Sequence, residues 1–260
     1  MTTGPVAPEL TVLHRIPSGS NAVYRCVDAH GDGWVYKPSA GERPLIDFPD
    51  GTLAAREIAA YAVSAGLGWD LVPETVSVYG PGGPGMAQRW IDERDPDGVG
   101  AHDPVDVHPV DDVPAGRAVV LHGEGPRGED VVVAHDTDER MRRIALFDHV
   151  VNNADRKGGH VLVDRDGRTW AIDHGLSFHS EPKLRTVLWG WAAQPLDGGD
   201  VAALTRLSTE LAGEGGLTVK LRNLLSSDEI DALASRVDSL LESGRFPVPA
   251  PGYPLPWPLF

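Results

Sequence analysis

Two aspartates in neighbouring loops are the residues whose spacing most clearly indicates chemistry. Asp155 lies in NADRKGGH (residues 153–160), and Asp173 lies in AIDHG (residues 171–175) after a short hairpin. A carboxylate on the first loop can orient or deprotonate a hydroxyl group, and one at the end of the second strand can hold the metal ion that bridges nucleotide phosphates. The pair therefore predicts a phosphoryl-transfer site, with Asp155 catalytic and Asp173 binding Mg²⁺ or Mn²⁺.

Three further residues of the first loop have candidate roles beside Asp155. Asn153 is placed to brace the loop, and Arg156 is placed to pair with a neighbouring acid or with phosphate. His160 stands where a residue that helps to hold a second metal ion is expected, and neutral imidazole can bind divalent ions. The alternatives are a structural histidine at position 160 and turn aspartates at positions 155 and 173.

A lysine and a glutamate upstream extend the same pattern. Lys37 ends a predicted strand, and Glu57 lies inside a predicted helix. Phosphoryl-transfer enzymes use a strand lysine to neutralise the nucleotide phosphates and a helix glutamate to hold that lysine. Alone the two residues would be read as a surface pair, but their order before the two aspartates favours ATP binding.

The turn between the first two predicted strands consists of Ser18, Gly19, Ser20 and Asn21. It lies where a loop covering the phosphates is expected, and its backbone N–H groups and hydroxyls can cradle phosphate oxygens. It has one glycine and lacks the G-x-G-x-x-G pattern, so a plain hairpin turn is the alternative. We assign these four residues to the predicted ATP site.

The apolar strand at residues 86–91 is predicted to form the junction of two lobes. Adenine binds at such junctions against apolar side chains and hydrogen-bonding groups. Gln88 and Trp90 are the candidate contacts in this strand. The alternative for Trp90 is a core residue without a ligand.

The N-terminal part is predicted to be an antiparallel sheet with one helix. Residues 11–37 alternate in polarity as strands separated by turns, and residues 73–78 and 86–91 add further strands. The alanine-rich stretch 52–65 is predicted to be a helix capped by Thr52.

The C-terminal part is predicted to be mainly helical. A helix starts at Asp136 or Thr137 and runs to about residue 151. The loop with Asp155 and a hairpin around Asp166-Gly167 come next. Three helices at about 200–213, 218–225 and 228–243 follow, the last with a capping box formed by Ser226 and Glu229.

Two segments interrupt this regular pattern. Residues 92–135 are acidic and rich in Gly and Pro, with predicted β-segments at Ala118–Leu121 and Asp130–Ala134. Four histidines in the segment do not follow a usual zinc spacing, which favours loop histidines over a metal site: His102, His108, His122 and His135. Residues 246–260 form a Pro-rich tail, predicted to pack as an extended arm or to dock a protein partner.

Composition limits the partners and the compartment. The 260 residues carry a net charge of −15, which argues against binding nucleic acid or an anionic membrane. Cys26 is the single cysteine, so disulfides within the chain and cysteine-rich zinc sites are excluded. We find neither a signal-peptide pattern at the N-terminus nor an apolar run long enough to be an integral membrane segment, so a cytoplasmic location is expected.

With these residues in view, the chain resembles the phosphatidylinositol 3-/4-kinase-like superfamily, especially type II phosphatidylinositol 4-kinases and HipA-like kinases. It also resembles an actinobacterial kinase-like family. The matches are Asn153-x-Asp155-Arg156 and the Ile172-Asp173-x-Gly175 motif, and His160 replaces the asparagine of those families. The resemblance implies an α+β, two-lobed protein-kinase-like fold with a nucleotide-binding lobe at 1–91 and a catalytic lobe at 92–260.

Three functions follow from these observations. The first is an ATP-dependent phosphotransferase acting on a hydroxyl acceptor: an inositol lipid, a protein Ser/Thr or a small alcohol. The second is a pseudokinase that binds nucleotide and regulates a partner, which the histidine at position 160 favours and the four retained charged residues oppose. The third is a small-molecule kinase of the aminoglycoside type, which ranks last because its usual His-Gly-Asp loop is missing.

Overall fold

The computed structural model describes residues 7–17, 21–48, 51–95 and 102–260. The strands are β1 Thr11–Arg15, β2 Tyr24–Val27, β3 Gly33–Pro38, β4 Thr75–Gly80, β5 Gly83–Arg89, β6 Val105–Pro109, β7 Arg117–Glu124, β8 Asp130–Asp136, β9 Val161–Val163 and β10 Thr169–Ala171. The helices are α1 Leu53–Leu67, α2 Glu139–Val151, α3 Gly198–Ala212, α4 Gly216–Arg222 and α5 Ser227–Ser243. Short 3₁₀ turns lie at Ser39–Gly41, Gly158–His160 and Trp189–Trp191.

The N-terminal sheet is antiparallel, in the order β1-β2-β3-β5-β4, and α1 connects β3 to β4. Strand alternation sends Trp34 and Tyr36 of β3 into a small core on one face. Val35 and Lys37 therefore lie on the opposite face, where α1 packs. The sheet thus presents Lys37 on the side that faces the rest of the chain.

Helix α1 forms because its sequence is rich in alanine, and it ends at Gly68, whose φ of 70° is left-handed. The prediction that Thr52 caps this helix is wrong, since the Thr52 side chain makes no capping hydrogen bond. Instead, the Glu42 carboxylate accepts hydrogen bonds from the N–H groups of Leu53 and Ala54, both at 2.9 Å. A carboxylate from the preceding loop satisfies the free donors of the first turn better than one hydroxyl can.

Residues 105–136 form a separate antiparallel sheet in the order β6-β8-β7. β7 and β8 contain the two predicted segments, and β6 is an additional strand that the sequence did not predict. The segment's histidines have different environments. His102 pairs with Asp136 at 2.7 Å, and His135 is buried and stacks on Trp191.

The C-terminal helices enclose the main core. Helix α2 begins after Asp138, whose carboxylate accepts from two backbone N–H groups, so the start predicted at Asp136 or Thr137 is slightly early. The predicted capping box of Ser226 and Glu229 at the start of α5 is confirmed. Apolar residues of α1, α2, α3 and α5 form one cluster, so the helices of both halves share a core.

These elements confirm the expected α+β class, with an antiparallel sheet in the N-terminal part and helices in the C-terminal part. The third strand carries Lys37 and the following helix carries Glu57, as the sequence predicted. Within the described ranges, no helix has the length and apolar character needed to cross a membrane.

Candidate functional site

Lys37, Glu57 and Asp173 meet in the cleft between the sheet and the helical part. The Lys37 Nζ lies 2.5 Å from Glu57 Oε1 and 3.0 Å from Asp173 Oδ1. β3, α1 and the loop after β10 supply the three side chains. The structure therefore brings together three residues that the sequence grouped only by order.

The opposite charges in this cluster stabilise the ionised forms of Lys37 and Asp173. Burial alone would lower the pKa of Lys37, but Asp173 and Glu57 outweigh it and raise that pKa above its usual value. The nearby ammonium of Lys37 holds the pKa of Asp173 well below its usual range. Lys37 and Asp173 are therefore both ionised at neutral pH, and the buried Glu57 is the third member of the cluster.

Glu57 also connects α1 to the loop that carries Asp173. Its second carboxylate oxygen accepts a hydrogen bond from the backbone N–H of His174 at 3.2 Å. Asp173 itself has a φ of 58°, in the left-handed region, which is uncommon for residues other than glycine although aspartate adopts it more readily than most. Such backbone strain persists where surrounding contacts over-determine it, and here the contacts of Glu57 do so.

Asp155 lies at the start of the first loop, half-buried beside Lys157. Its backbone N–H donates to Asn153 Oδ1 at 3.0 Å, and its carboxylate lies 3.2 Å from the Lys157 ammonium. Burial raises the pKa of Asp155, and Lys157 partly offsets this effect. Sequence reasoning assigned Lys157 no role, although its place two residues after Asp155 was a usable signal.

The loop rests on a buried ion pair that the sequence did not reveal. Asp148 of α2 is fully buried and accepts from Arg156 Nε at 3.1 Å. It also accepts from Asn153 Nδ2 at 3.0 Å and from Thr186 Oγ1 at 3.1 Å. Asn153 thus braces the loop as predicted, through its hydrogen bond to Asp148.

Arg156 is fully buried, so of the two roles left open for it the structure shows the pairing with an acid. Its Nη1 donates to the carbonyl oxygens of His160 at 3.0 Å and Ile172 at 2.8 Å. Its Nη2 lies 2.7 Å from His174 Nε2. Arg156 therefore fastens the loop of Asp155 to the loop of Asp173, and it acts by positioning.

His160 faces both aspartates. Its Nδ1 lies 3.0 Å from the backbone oxygen of Asp155, and its Nε2 lies 3.4 Å from Asp173 Oδ2. Burial lowers the pKa of His160 to about 4, so the ring is neutral near pH 7. Because a carbonyl oxygen only accepts, Nδ1 carries the hydrogen and Nε2 presents a lone pair to the Asp173 carboxylate.

Two acceptors facing each other fit a divalent cation between them. A histidine that donates its other N–H to a backbone oxygen is the usual arrangement of a metal ligand. In the described part of the chain, no group of three or more His, Cys, Asp or Glu side chains is placed to hold a metal. A two-ligand set suits Mg²⁺ or Mn²⁺ that is also bound by nucleotide phosphates.

The two residues predicted to contact adenine, Gln88 and Trp90, lie at the end of β5 and directly after it. Gln88 of β5 pairs with Val35, one position further along the face than the pair of Lys37 and Met86. Gln88 is buried, and its Nε2 donates to Thr75 Oγ1 at 2.9 Å. The structure thus places Gln88 on the same face as the lysine.

Trp90 is half-buried, and the guanidinium of Arg25 lies over its ring at 4.3 Å from the centroid. The sequence did not predict this cation–π contact. Of the predicted phosphate loop, Ser18, Gly19 and Ser20 lie outside the described residues. Asn21 accepts a hydrogen bond from the Arg43 N–H at 2.9 Å through its side chain.

The segment after Asp173 runs beside the loop that carries Asp155. Arg185 accepts a backbone hydrogen bond from Arg156 at 3.0 Å and donates one to Asn153 at 2.9 Å, so it brackets Asp155. Lys183 lies 3.1 Å from Asp47, which also lies 3.8 Å from Arg185. Asp47 thus pairs with both cations of this segment.

No known protein-family model matches the chain. The chain is 47% identical over 259 residues to Protein Rv2133c of Mycobacterium tuberculosis, covering 97% of this chain and 92% of that protein. Two solved structures of the Golgi casein kinase are similar at 12% identity, covering 91% of this chain and 73% of theirs. Their TM-scores are 0.45 and, with Mn/ADP bound, 0.49.

Proposed function

The chain belongs to the same family as Protein Rv2133c of Mycobacterium tuberculosis, and for its cleft we propose ATP-dependent transfer of the γ-phosphoryl group to a hydroxyl acceptor. The observation that carries the proposal is the Lys37 ammonium held between Glu57 and Asp173. A lysine fixed by a helix glutamate next to a metal-binding aspartate is the arrangement that positions nucleotide phosphates.

Lys37 neutralises charge on the phosphates, and Glu57 keeps it in place. The reaction breaks the bond between the γ-phosphorus and the oxygen that bridges to the β-phosphate, and ADP leaves with that oxygen. The bond that forms joins the γ-phosphorus to the acceptor oxygen. Little covalent chemistry falls to the protein, so positioning and charge account for the rate.

Asp155 orients the acceptor hydroxyl and receives its proton. Its raised pKa makes it a better proton acceptor than an exposed aspartate. Lys157, 3.2 Å from its carboxylate, supplies positive charge beside the phosphoryl group as it moves. Asn153 and Arg156 hold the loop through Asp148.

Asp173 and His160 would hold the divalent ion, through Oδ2 and Nε2. When bound, Mg²⁺ or Mn²⁺ neutralises charge that develops on the β- and γ-phosphate oxygens. The motif resemblance to phosphatidylinositol 3-/4-kinase-like enzymes supports an inositol lipid as acceptor. A protein Ser/Thr or a small alcohol fits the same geometry.

The second candidate is a pseudokinase, which the histidine at position 160 favours. Two observations support turnover instead. The ion pairs of Lys37 are intact, and His160 is oriented as a ligand toward Asp173. A cleft that had lost its nucleotide would retain several charged groups at a cost in stability.

An assay of phosphoryl transfer tests the proposed function. Purified protein is incubated with γ-labelled ATP, Mg²⁺ or Mn²⁺, and a host lysate that is then separated into lipid, protein and small-molecule fractions. Asp155→Asn and Asp173→Asn are run beside it, with Asp111→Asn, at an exposed position in the turn after β6, as a matched control. We expect label in one fraction, retained in the control and lost in both cleft variants.

The outcomes separate the candidates. Label that survives both cleft variants would exclude this site as its source. Folded protein that binds Mn²⁺ and ADP but transfers no label would make the chain a nucleotide-binding pseudokinase. Folded protein that binds neither would overturn both.

A further inference from the structure

The Pro-rich arm, residues 246–260, runs against the catalytic loop instead of lying free. The carbonyl oxygen of Leu259 accepts a hydrogen bond from the Gly158 N–H at 2.9 Å. The ring of Phe260 lies directly on Gly158: a Cβ built there would be 2.5 Å from Cε1 and 2.6 Å from Cδ1 of that ring. Gly158 belongs to the segment that carries Asp155 and His160.

A second contact fixes the arm nearer its start. The carbonyl oxygen of Pro254 accepts from the Thr186 N–H at 3.1 Å and from Trp189 Nε1 at 2.9 Å. The Thr186 hydroxyl donates to Asp148, the buried acid that supports the catalytic loop. The arm therefore touches the loop itself and also the residues on which the loop rests.

Gly158 has a second close neighbour. Its ideal Cβ position would be 3.4 Å from the Cβ atom of Val105 of β6, in addition to the Phe260 contacts. Gly158 begins the 3₁₀ turn Gly158–His160, and the third residue of that turn presents Nε2 to Asp173. A shift of Gly158 therefore moves the imidazole relative to the aspartate.

The arm makes inward contacts at both ends: Phe246 is buried in the main core and stacks on Trp191, and Phe260 covers Gly158. Tyr253 is 89% exposed and Trp257 is 88% exposed, so the two largest aromatic side chains of the arm add little to the core. Phe260 is only half-exposed because one face of its ring covers Gly158. The contact of Phe260 is with the catalytic loop, whereas Phe246 contributes to the packing of the main core.

We propose that the arm is a positioning element of the phosphoryl-transfer site, and that Leu259 and Phe260 set the Gly158–His160 turn so that His160 meets the metal ion. The inference rests on the proposed function, because it concerns the ligand geometry of that site. Phe260 acts through the turn and does not touch the reacting groups.

The test compares Phe260→Ala with Trp257→Ala, which removes an exposed aromatic of the same arm. Mn²⁺ affinity in the presence of ADP is measured by electron paramagnetic resonance, and the Mn²⁺ concentration for half-maximal transfer is measured alongside. We expect Phe260→Ala to lower the Mn²⁺ affinity about tenfold and to raise the Mn²⁺ concentration for half-maximal transfer by the same factor. A loss of this size is typical when a residue that orients a metal ligand is removed. Trp257→Ala is expected to change neither.

A suppressor pair guards against a folding artefact. Gly158→Ala introduces a methyl group that Phe260 blocks, and the glycine does not have a left-handed backbone that would itself forbid alanine. Gly158→Ala should weaken Mn²⁺ binding, and adding Phe260→Ala should cost less than the two single effects combined. Thermal unfolding midpoints of all variants are recorded, and Phe260→Leu, which keeps an apolar cover, should restore most of the affinity.

Wild-type affinity and half-maximal concentration in Phe260→Ala would overturn the inference, as would an equal loss in Trp257→Ala. Strictly additive effects in the pair would also count against it. If the wild type binds Mn²⁺ and ADP without transferring phosphate, the proposed function fails while the affinity comparison still decides the role of the arm. Wild-type protein that binds no Mn²⁺ would overturn both.

Discussion

The Nε2 atom of His160 lies 3.4 Å from Oδ2 of Asp173, and neither atom can donate a hydrogen to the other. The His160 hydrogen is engaged at Nδ1 by the Asp155 backbone oxygen, and the low pKa of Asp173 keeps its carboxylate ionised. Two facing acceptors are stabilised when a cation lies between them.

Replacing His160 by asparagine should change the preference for metal. Imidazole favours softer ions, whereas an amide oxygen suits Mg²⁺. We expect wild-type activity to be higher with Mn²⁺ than with Mg²⁺, and His160→Asn to lower that ratio by about tenfold or more. Initial rates across a titration of each metal measure it. An unchanged ratio would remove His160 from the metal site, and His122→Asn, at an exposed position, is the control.

Buried neutral histidines should make the fold sensitive to acid. Burial lowers the pKa of His149 to about 3 and that of His174 well below its usual value. Their stabilisation is fully present above the unfolded pKa near 6.5 and is lost as pH falls toward the folded values. Between pH 7 and pH 5, each such histidine should remove about 2 kcal/mol from the free energy of unfolding.

Urea unfolding at pH 7 and pH 5 measures this loss. In His149→Gln the difference between the two pH values should shrink by about 2 kcal/mol, because one buried titrating ring is gone. His122→Gln, which removes an exposed ring, should leave the difference unchanged. An equal difference in wild type and His149→Gln would show that His149 becomes protonated in the folded protein.

The buried pair of Asp148 and Arg156 should be costly to break on one side only. Asp148→Asn leaves the Arg156 guanidinium without a full charge partner in a site closed to water. We expect a loss of about 3–5 kcal/mol in the free energy of unfolding, and a smaller loss when Asp148→Leu and Arg156→Met are combined. Chemical denaturation of the single and double variants measures both. A double variant as unstable as the sum of the singles would contradict the coupling.

Gln88 should select the base. The Thr75 hydroxyl donates to the Pro73 carbonyl oxygen at 2.8 Å, so it can only accept from Gln88 Nε2. The amide is thereby oriented, and its Oε1 is an acceptor suited to the 6-amino group of adenine and unsuited to a 6-oxo group. We expect ADP to bind more tightly than IDP by roughly three- to tenfold.

Thr75→Val releases this orientation and should bring the two affinities together, as measured by calorimetry with Mn²⁺ present. Thr209→Val makes the same change at an exposed position on α3 and serves as control. Equal binding of ADP and IDP by the wild type would mean that Gln88 does not read the base.

Much of the site follows from residue order because its chemistry restricts residue types. The prediction that Lys37 and Glu57 pair agrees with the ion pair in the structure, since few side chains can fix a phosphate-binding lysine from a helix. The capping box of α5 was predictable because its two residues are close in sequence. Both signals are local or chemically narrow.

The missing parts depend on contacts between distant segments. In the sequence, Asp148 cannot be distinguished from the other polar residues of an amphipathic helix, because its ion pair with Arg156 forms only in the folded protein. Glu42 caps α1 from the preceding loop, where the sequence pattern pointed to Thr52. The contact of Phe260 with Gly158 joins segments that no periodicity relates. Sequence pattern constrains neighbours, and long-range pairing is decided by packing.

The apolar cluster that α1 shares with α2, α3 and α5 has a consequence for dissecting the protein. Ala59, Val63 and Leu67 lie in the same buried cluster as Leu204 and Leu233. A fragment ending near residue 91 would therefore expose this face of α1 to water, and the remaining fragment would lose the wall that covers its helices. Heating the whole chain should melt both halves together, and co-expressed halves should be recovered as one complex.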